Sequence, residues 1–433
     1  MAVAHDVRMA RWAVPTTARS LYRNITLDSA AKVSRRRYRG IAETDYDPFD
    51  RATAADPYPA YRKLLEGSRV HYSRRRAMFV LCRYDDVRDA ARNDAALSSR
   101  EGVTRGRVEL PILLNMDAPR HAELRRKVQP AFARGALTGW QALVDRMSAE
   151  LVDDLIENPG SDVVSRLAVP MPMRMIAHII GVPPEDEKFF RHWSNEAVGV
   201  ANVESTPRGL RKIPAAMYGV RQLHSYFQAR IADGRLLGAD SLLGRLVADA
   251  EGGGITADEL FFFALLLLLA GNETTTNLLS AMFLSLSENP DQFEAIRRDP
   301  DGLLGSAVEE QLRYSSPIQN FYRTALSDYR VGDVVIPAGA RVELVWGAAN
   351  RDPLQFDDPD RYVAARNPSH VAFGSGVHLC LGAGLARMEA KAVLREVVAH
   401  VDRIDVVGVP RWTTNSSLRG LRELRVNLTR RRA

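Results

Sequence analysis

The sequence predicts a mainly α-helical protein with a minor β region. Three observations carry that expectation. Apolar residues recur with helical spacing from about residue 85 to 250. One long apolar stretch, about 257–288, reads as a single helix, and the strand-like runs are short and few. The βα alternation of a doubly wound sheet is absent. The 433 residues, 46% hydrophobic and 26% charged, suit a globular protein with a large core.

Charge is unevenly placed. Nine of the 59 Lys and Arg residues and two of the 53 Asp and Glu residues lie in positions 1–40, leaving 50 against 51 elsewhere. The near-neutral body gives no support for nucleic-acid binding. Residues 1–42 are expected to form a basic tail or arm, and 43–433 a single domain. Two cysteines, Cys82 and Cys380, exclude a disulfide framework and a four-cysteine metal site, and fit a reducing cytoplasm. No apolar signal region is visible near the start. The run Leu260–Ala270 is shorter than the ~20 residues a transmembrane helix needs.

In chain order, Asp56-Pro57-Tyr58-Pro59 opens a helix carrying Tyr61, Leu64 and Leu65. Val70–Tyr72 and Met78–Tyr84 resemble paired strands, and Cys82 in the second reads as a core residue. Asp117 and Pro119 are expected to cap and open the next helix. Thr256 and Glu259 make a capping-box pattern before the long helix, which Asn289-Pro290 ends. Further helices are expected over about 302–313 and 381–400, with strands at 331–336 and 341–345 between them.

The chemistry concentrates around Cys380. Phe373-Gly374-Ser375-Gly376-Val377-His378-Leu379-Cys380-Leu381-Gly382 places two glycines ahead of the sulfur and a helix after it. Glycines allow positive φ and close approach to a flat ligand. The helix N-terminus stabilises a thiolate. A soft anionic sulfur in that setting suits haem iron. A structural turn, or a nucleophilic cysteine with His378 as base, would leave the glycine spacing unexplained.

The string resembles the FGxGxHxCxG signature of the cytochrome P450 family. Further motifs in the same order extend the resemblance over about residues 45–425. It implies the P450 fold, with haem b (iron protoporphyrin IX) between a long central helix and a loop carrying the ligand Cys380. Phe373, Gly374, His378 and Gly382 fall on that loop as cofactor contacts. Glu310-Gln311-Leu312-Arg313 is similar to the family's ExxR helix, with Arg361 expected as the third member of a buried ionic lock. By itself an ExxR could be a plain surface pair. Tyr362 stands where Phe is usual.

Ala270-Gly271-Asn272-Glu273-Thr274-Thr275 resembles the oxygen-activating segment. Ala270 and Gly271 would let the helix pass the haem, while Glu273 and Thr274 would supply protons. Asn272 replaces a common histidine. His121 and Arg125, one turn apart, match the family's HxxxR contact to the haem propionates, and Arg323 and His378 align with two more.

The resemblance implies a monooxygenase that inserts one oxygen atom from O2 into a moderately hydrophobic substrate, by hydroxylation or epoxidation. The chain carries no flavin, nicotinamide or iron–sulfur fingerprint. Electrons would therefore come from a ferredoxin and an NAD(P)H-dependent ferredoxin reductase, docking near Arg125, Arg126, Lys127, Arg134 and Arg387. A soluble, cytoplasmic monomer without a transmembrane segment is expected. A peroxide-driven hydroxylase and a non-catalytic haem ligand-binding protein are the alternatives; the Glu273-Thr274 pair counts against both.

Overall fold

A helix that is apolar on every side must find partners on every side. The computed structural model describes residues 40–198, 213–232 and 257–431, together with Tyr38, Leu242 and Leu246. The long helix runs Ala257–Glu288, and its 32 residues span roughly 48 Å at the usual rise. Composition and length alone would let Glu259–Glu288 cross a bilayer. Instead Leu268, Leu278, Leu279 and Met282 are buried inside the fold. The expected Thr256 cap and most of the basic arm lie outside the described residues.

Contacts divide the chain into two compact units. One comprises Glu123–Pro317, Asp360–His370 and Cys380–Ala433. It is largely helical and built around the long helix. That helix packs against Pro170–Ile180, Pro300–Ser315 and Ala383–His400. Its buried hydroxyls are satisfied along the way. Thr276 Oγ1 donates to the Ala168 carbonyl at 3.0 Å, and Ser280 Oγ to Thr276 at 2.8 Å. Helix Ala383–His400 also packs on Arg134–Glu157. A three-stranded antiparallel sheet joins Val401–Val406, Arg425–Arg430 and Ser161–Asp162.

The other unit comprises the chain up to Ala122, Ile318–Pro359 and Val371–Leu379. Its centre is a six-stranded mixed sheet in the order Ala42–Glu43, Val70–Ser73, Met78–Leu81, Arg341–Leu344, Phe321–Ala325, Leu97–Ser98. Side chains alternate across it. Phe79, Leu81, Val342 and Leu344 enter one apolar cluster, while Met78, Val80, Cys82 and Tyr322 enter another. Cys82 is thus a core residue, and burial pushes its thiol up to about 12.

Asp117 precedes the helix Arg120–Val128, and its carbonyl accepts from the His121 amide at 3.0 Å. Its carboxylate accepts from the hydroxyl of Ser98 and, at 3.0 Å, from the amide of Ser99. A short strand end thus shares the residue that the sequence assigns to the helix.

Candidate active site

Cys380 lies at the start of the Ala383–His400 helix. Its sulfur is exposed by surface area, yet protein crowds around it. Burial pushes the thiol up; hydrogen bonds from the Gly382 and Ala383 amides and the charges of Arg125 and Arg387 pull the other way. The environment therefore disfavours a solvated thiolate but supplies donors and cations to one that is otherwise stabilised. An iron ion would provide that stabilisation. Just before it in the sequence, Val377 and Leu379 are 41% and 46% exposed, apolar surface suited to a flat apolar ligand. Arg125 is half-buried; burial lowers its pKa and the Cys380 charge opposes this.

In the same unit the ExxR motif forms a buried lock. Glu310 and Arg313 side chains are both fully buried. Arg313 donates to the two Glu310 oxygens at 2.7 and 2.8 Å. The third cation is Arg366, whose Nε donates to Glu310 at 3.1 Å. Arg361 contributes its backbone carbonyl, which accepts from Arg313 at 3.1 Å, while its side chain is exposed. The sequence-based expectation of an Arg361 guanidinium in the lock is corrected accordingly. Tyr362, next in sequence, is buried, while Arg361 is exposed. The extra hydroxyl of Tyr362 donates to the Ala307 carbonyl at 3.3 Å.

On the long helix, Ala270 is exposed between half-buried Leu269 and Gly271, and Glu273 and Thr274 are partly buried. Thr274 Oγ1 donates to the Ala270 carbonyl at 2.6 Å. A Cβ on Gly271 would stand 2.8 Å from Ile176 Cδ1, so its smallness serves helix packing.

In the other unit, Phe373 is half-buried, and Gly374 and Gly376 take φ of 75° and 73°. A Cβ at Gly376 would meet the Ala91 carbonyl oxygen at 2.8 Å and Arg92 Cα at 2.9 Å. The loop is thereby seated on the end of helix Tyr84–Arg92, and Arg92 Nε donates to Ser375 at 2.9 Å. His121 and His378 come together, with ring centroids 4.3 Å apart. Arg323 is buried and donates to the Tyr322 carbonyl at 2.9 Å. Burial lowers its pKa to about 10 against the pull of Asp117. A buried cation so depressed is suited to an incoming carboxylate.

Two groups escaped the sequence reading. Glu309 binds Arg387 and His370, and only its place beside Glu310 hinted at it. A buried network also orders the 101–108 loop. Glu101 pairs with Arg107 at 2.9 Å and accepts from Thr324 at 2.7 Å. Arg341 donates to Thr324 at 2.9 Å and to the carbonyls of Gly102, at 2.6 Å, and Thr104.

Comparison with known proteins agrees with this geometry. The cytochrome P450 family model matches residues 224–403. A β-dihydromenaquinone-9 ω-hydroxylase of Mycobacterium tuberculosis H37Rv is 48% identical over 428 residues, 98% of this chain and 87% of that protein. The chain belongs to the cytochrome P450 family. A steroid C26-monooxygenase of Rhodococcus jostii is 30% identical, over 81% of this chain and 75% of its own. The P450 fold is equally clear. The solved structure of CYP109Q5 from Chondromyces apiculatus superposes with a TM-score of 0.80 at 30% identity, covering 90% of this chain and all of its own. CYP109E1 from Bacillus megaterium in complex with testosterone gives 0.79 at 32%, covering 87% and 99%. This P450 is therefore a monooxygenase of the bacterial type, and haem iron is the cofactor its family implies.

Proposed function

We propose that this P450 hydroxylates the terminal carbon of a long isoprenoid chain such as that of a reduced menaquinone. The observation that carries the proposal is the 48% identity, over nearly the whole chain, to a β-dihydromenaquinone-9 ω-hydroxylase. Residues 43–433 act as one P450 domain, with 1–42 as a basic arm.

When bound, haem b supplies oxygen activation using two electrons and two protons. Cys380 would bind its iron, and the Gly382 and Ala383 amides with Arg125 and Arg387 would stabilise the sulfur charge. His121, Arg125, Arg323 and His378 would hold the propionates. Phe373 and Gly374 shape the loop before the sulfur. Exposed Ala270 leaves room on the long helix for oxygen and substrate. Glu273 takes up a proton from solvent and Thr274 Oγ1 passes it on. The Glu310–Arg313–Arg366 lock holds the 360–370 segment but touches no reactant.

Electrons come from a separate ferredoxin and its NAD(P)H-dependent reductase, docking on the face of Arg126, Lys127 and Arg134. The enzyme works as a cytoplasmic monomer on a lipid it extracts. The test is turnover of a dihydromenaquinone with ferredoxin, reductase, NADPH and labelled O2. An ω-hydroxylated product carrying one labelled oxygen supports the proposal. Hydroxylation at internal positions, or product from peroxide alone, would refute it. Thr274→Ala should keep NADPH consumption and lose most of the product.

A further inference from the structure

Glu309 and Glu310 are adjacent on the Pro300–Ser315 helix, so they project about 100° apart. Glu310 turns into the lock. Glu309 turns to Arg387, accepting from Nε at 2.6 Å and Nη2 at 2.8 Å. The same carboxylate stands 3.1 Å from His370 Nε2. Burial would raise its pKa, but the hydrogen bonds from Arg387 and His370 outweigh this and hold it at about 2. The carboxylate is therefore charged throughout the working pH range.

Arg387 lies one helical turn beyond Ala383, on the same face of the Ala383–His400 helix. Ala383 is one of the two residues whose amides donate to the Cys380 sulfur. The charge of its guanidinium acts on the sulfur. What reaches the sulfur depends on how far Glu309 neutralises that guanidinium and holds it aside. A bidentate carboxylate fixes both its direction and its charge.

We infer that Glu309 is a positioning residue for the haem-thiolate centre: by clamping Arg387 it sets how much positive field reaches the iron-bound sulfur, and so the iron's reduction potential. Losing Glu309 frees a positive charge near the sulfur, draws electron density from it and favours ferrous iron. Losing Arg387 removes the charge and favours ferric iron. Arg387 is 41% exposed, so solvent screens part of the effect. The inference rests on Cys380 as the iron ligand.

The test is spectroelectrochemical titration of holoenzyme at fixed pH and ionic strength for Glu309→Gln, Arg387→Gln and the double variant. At the wild-type midpoint, Glu309→Gln should raise the ferrous-to-ferric ratio several-fold, with a ceiling of about tenfold, or about 59 mV for one electron. Arg387→Gln should lower it, and the double variant should come back close to wild type. Glu309→Asp, which keeps the charge on a shorter arm, should shift the ratio upward by less than Glu309→Gln. A merely structural bridge would lower thermal stability in both single variants and move their potentials in one direction or not at all. Either of those outcomes overturns the inference. The reduced carbon monoxide spectrum of the same samples reports ligation separately, so loss of the thiolate band in wild type would count against Cys380 rather than against Glu309.

Discussion

Replacing Glu310 by Gln leaves the shape of the lock and removes the carboxylate that Arg313 and Arg366 share. Four donor contacts now converge on that group: two from Arg313, one from Arg366 and the Val363 amide at 2.9 Å. Arg313 and Arg366 would then face each other without the carboxylate that separates their charges. Arg313 is fully buried and Arg366 is 15% exposed, so water cannot take over. Stranding buried charge in this way costs about 3–5 kcal/mol. Unfolding entropy near 2.1 cal/mol/K per residue gives about 0.9 kcal/mol/K for 433 residues. The melting temperature should fall by about 3–6 °C. The assay is a thermal melt of holoenzyme followed by circular dichroism, with haem content measured after gel filtration. Haem should be lost more readily, because the Asp360–His370 segment loosens. A Glu310→Gln protein that melts within about 1 °C of wild type would refute the reasoning.

Other consequences are equally direct. Arg366→Ala should cost several kcal/mol, on the order of the Glu310 effect, whereas Arg361→Ala should stay within about 0.5 kcal/mol because only its carbonyl is used; equal melting shifts would contradict this. Gly376→Ala should destabilise by at least about 1 kcal/mol, since both its φ and the Ala91 backbone oppose a Cβ. Chemical denaturation against wild type measures the loss. Burial raises the Glu389 carboxyl from 4.5 to about 8. Between those values the folded state keeps a proton that the unfolded state has released. Raising the pH through that window therefore lowers stability, with no further loss above about 8. Glu389→Gln should flatten the decline in melting temperature from pH 5 to 8, and a profile parallel to wild type would refute it.

Much of this was legible from residue order. The long helix follows from an apolar run ended by Asn289-Pro290, because burial on all sides leaves little choice of partner. The lock's Glu and Arg follow from i, i+3 spacing on one helix face. Its third member does not, because Arg361 and Arg366 both lie in one irregular segment. Only their placement in the fold decides between them: the Arg366 side chain reaches Glu310, and that of Arg361 is exposed. Gly271 fits a motif, yet its space is filled by Ile176 from a helix distant in sequence. Asp117 shows the same limit, since Ser98 and Ser99 compete for a carboxylate that local spacing offers to a helix. Glu309 was hidden because its partners, His370 and Arg387, lie 61 and 78 positions away.

The most direct test of the account is the absorption spectrum of reduced protein under carbon monoxide, taken for wild type and Cys380→His. Wild type should show the red-shifted Soret band of thiolate ligation, and the variant should move it to the position of histidine-ligated haem. A histidine-type band in wild type, or a spectrum unchanged by the substitution, would contradict Cys380 as the iron ligand.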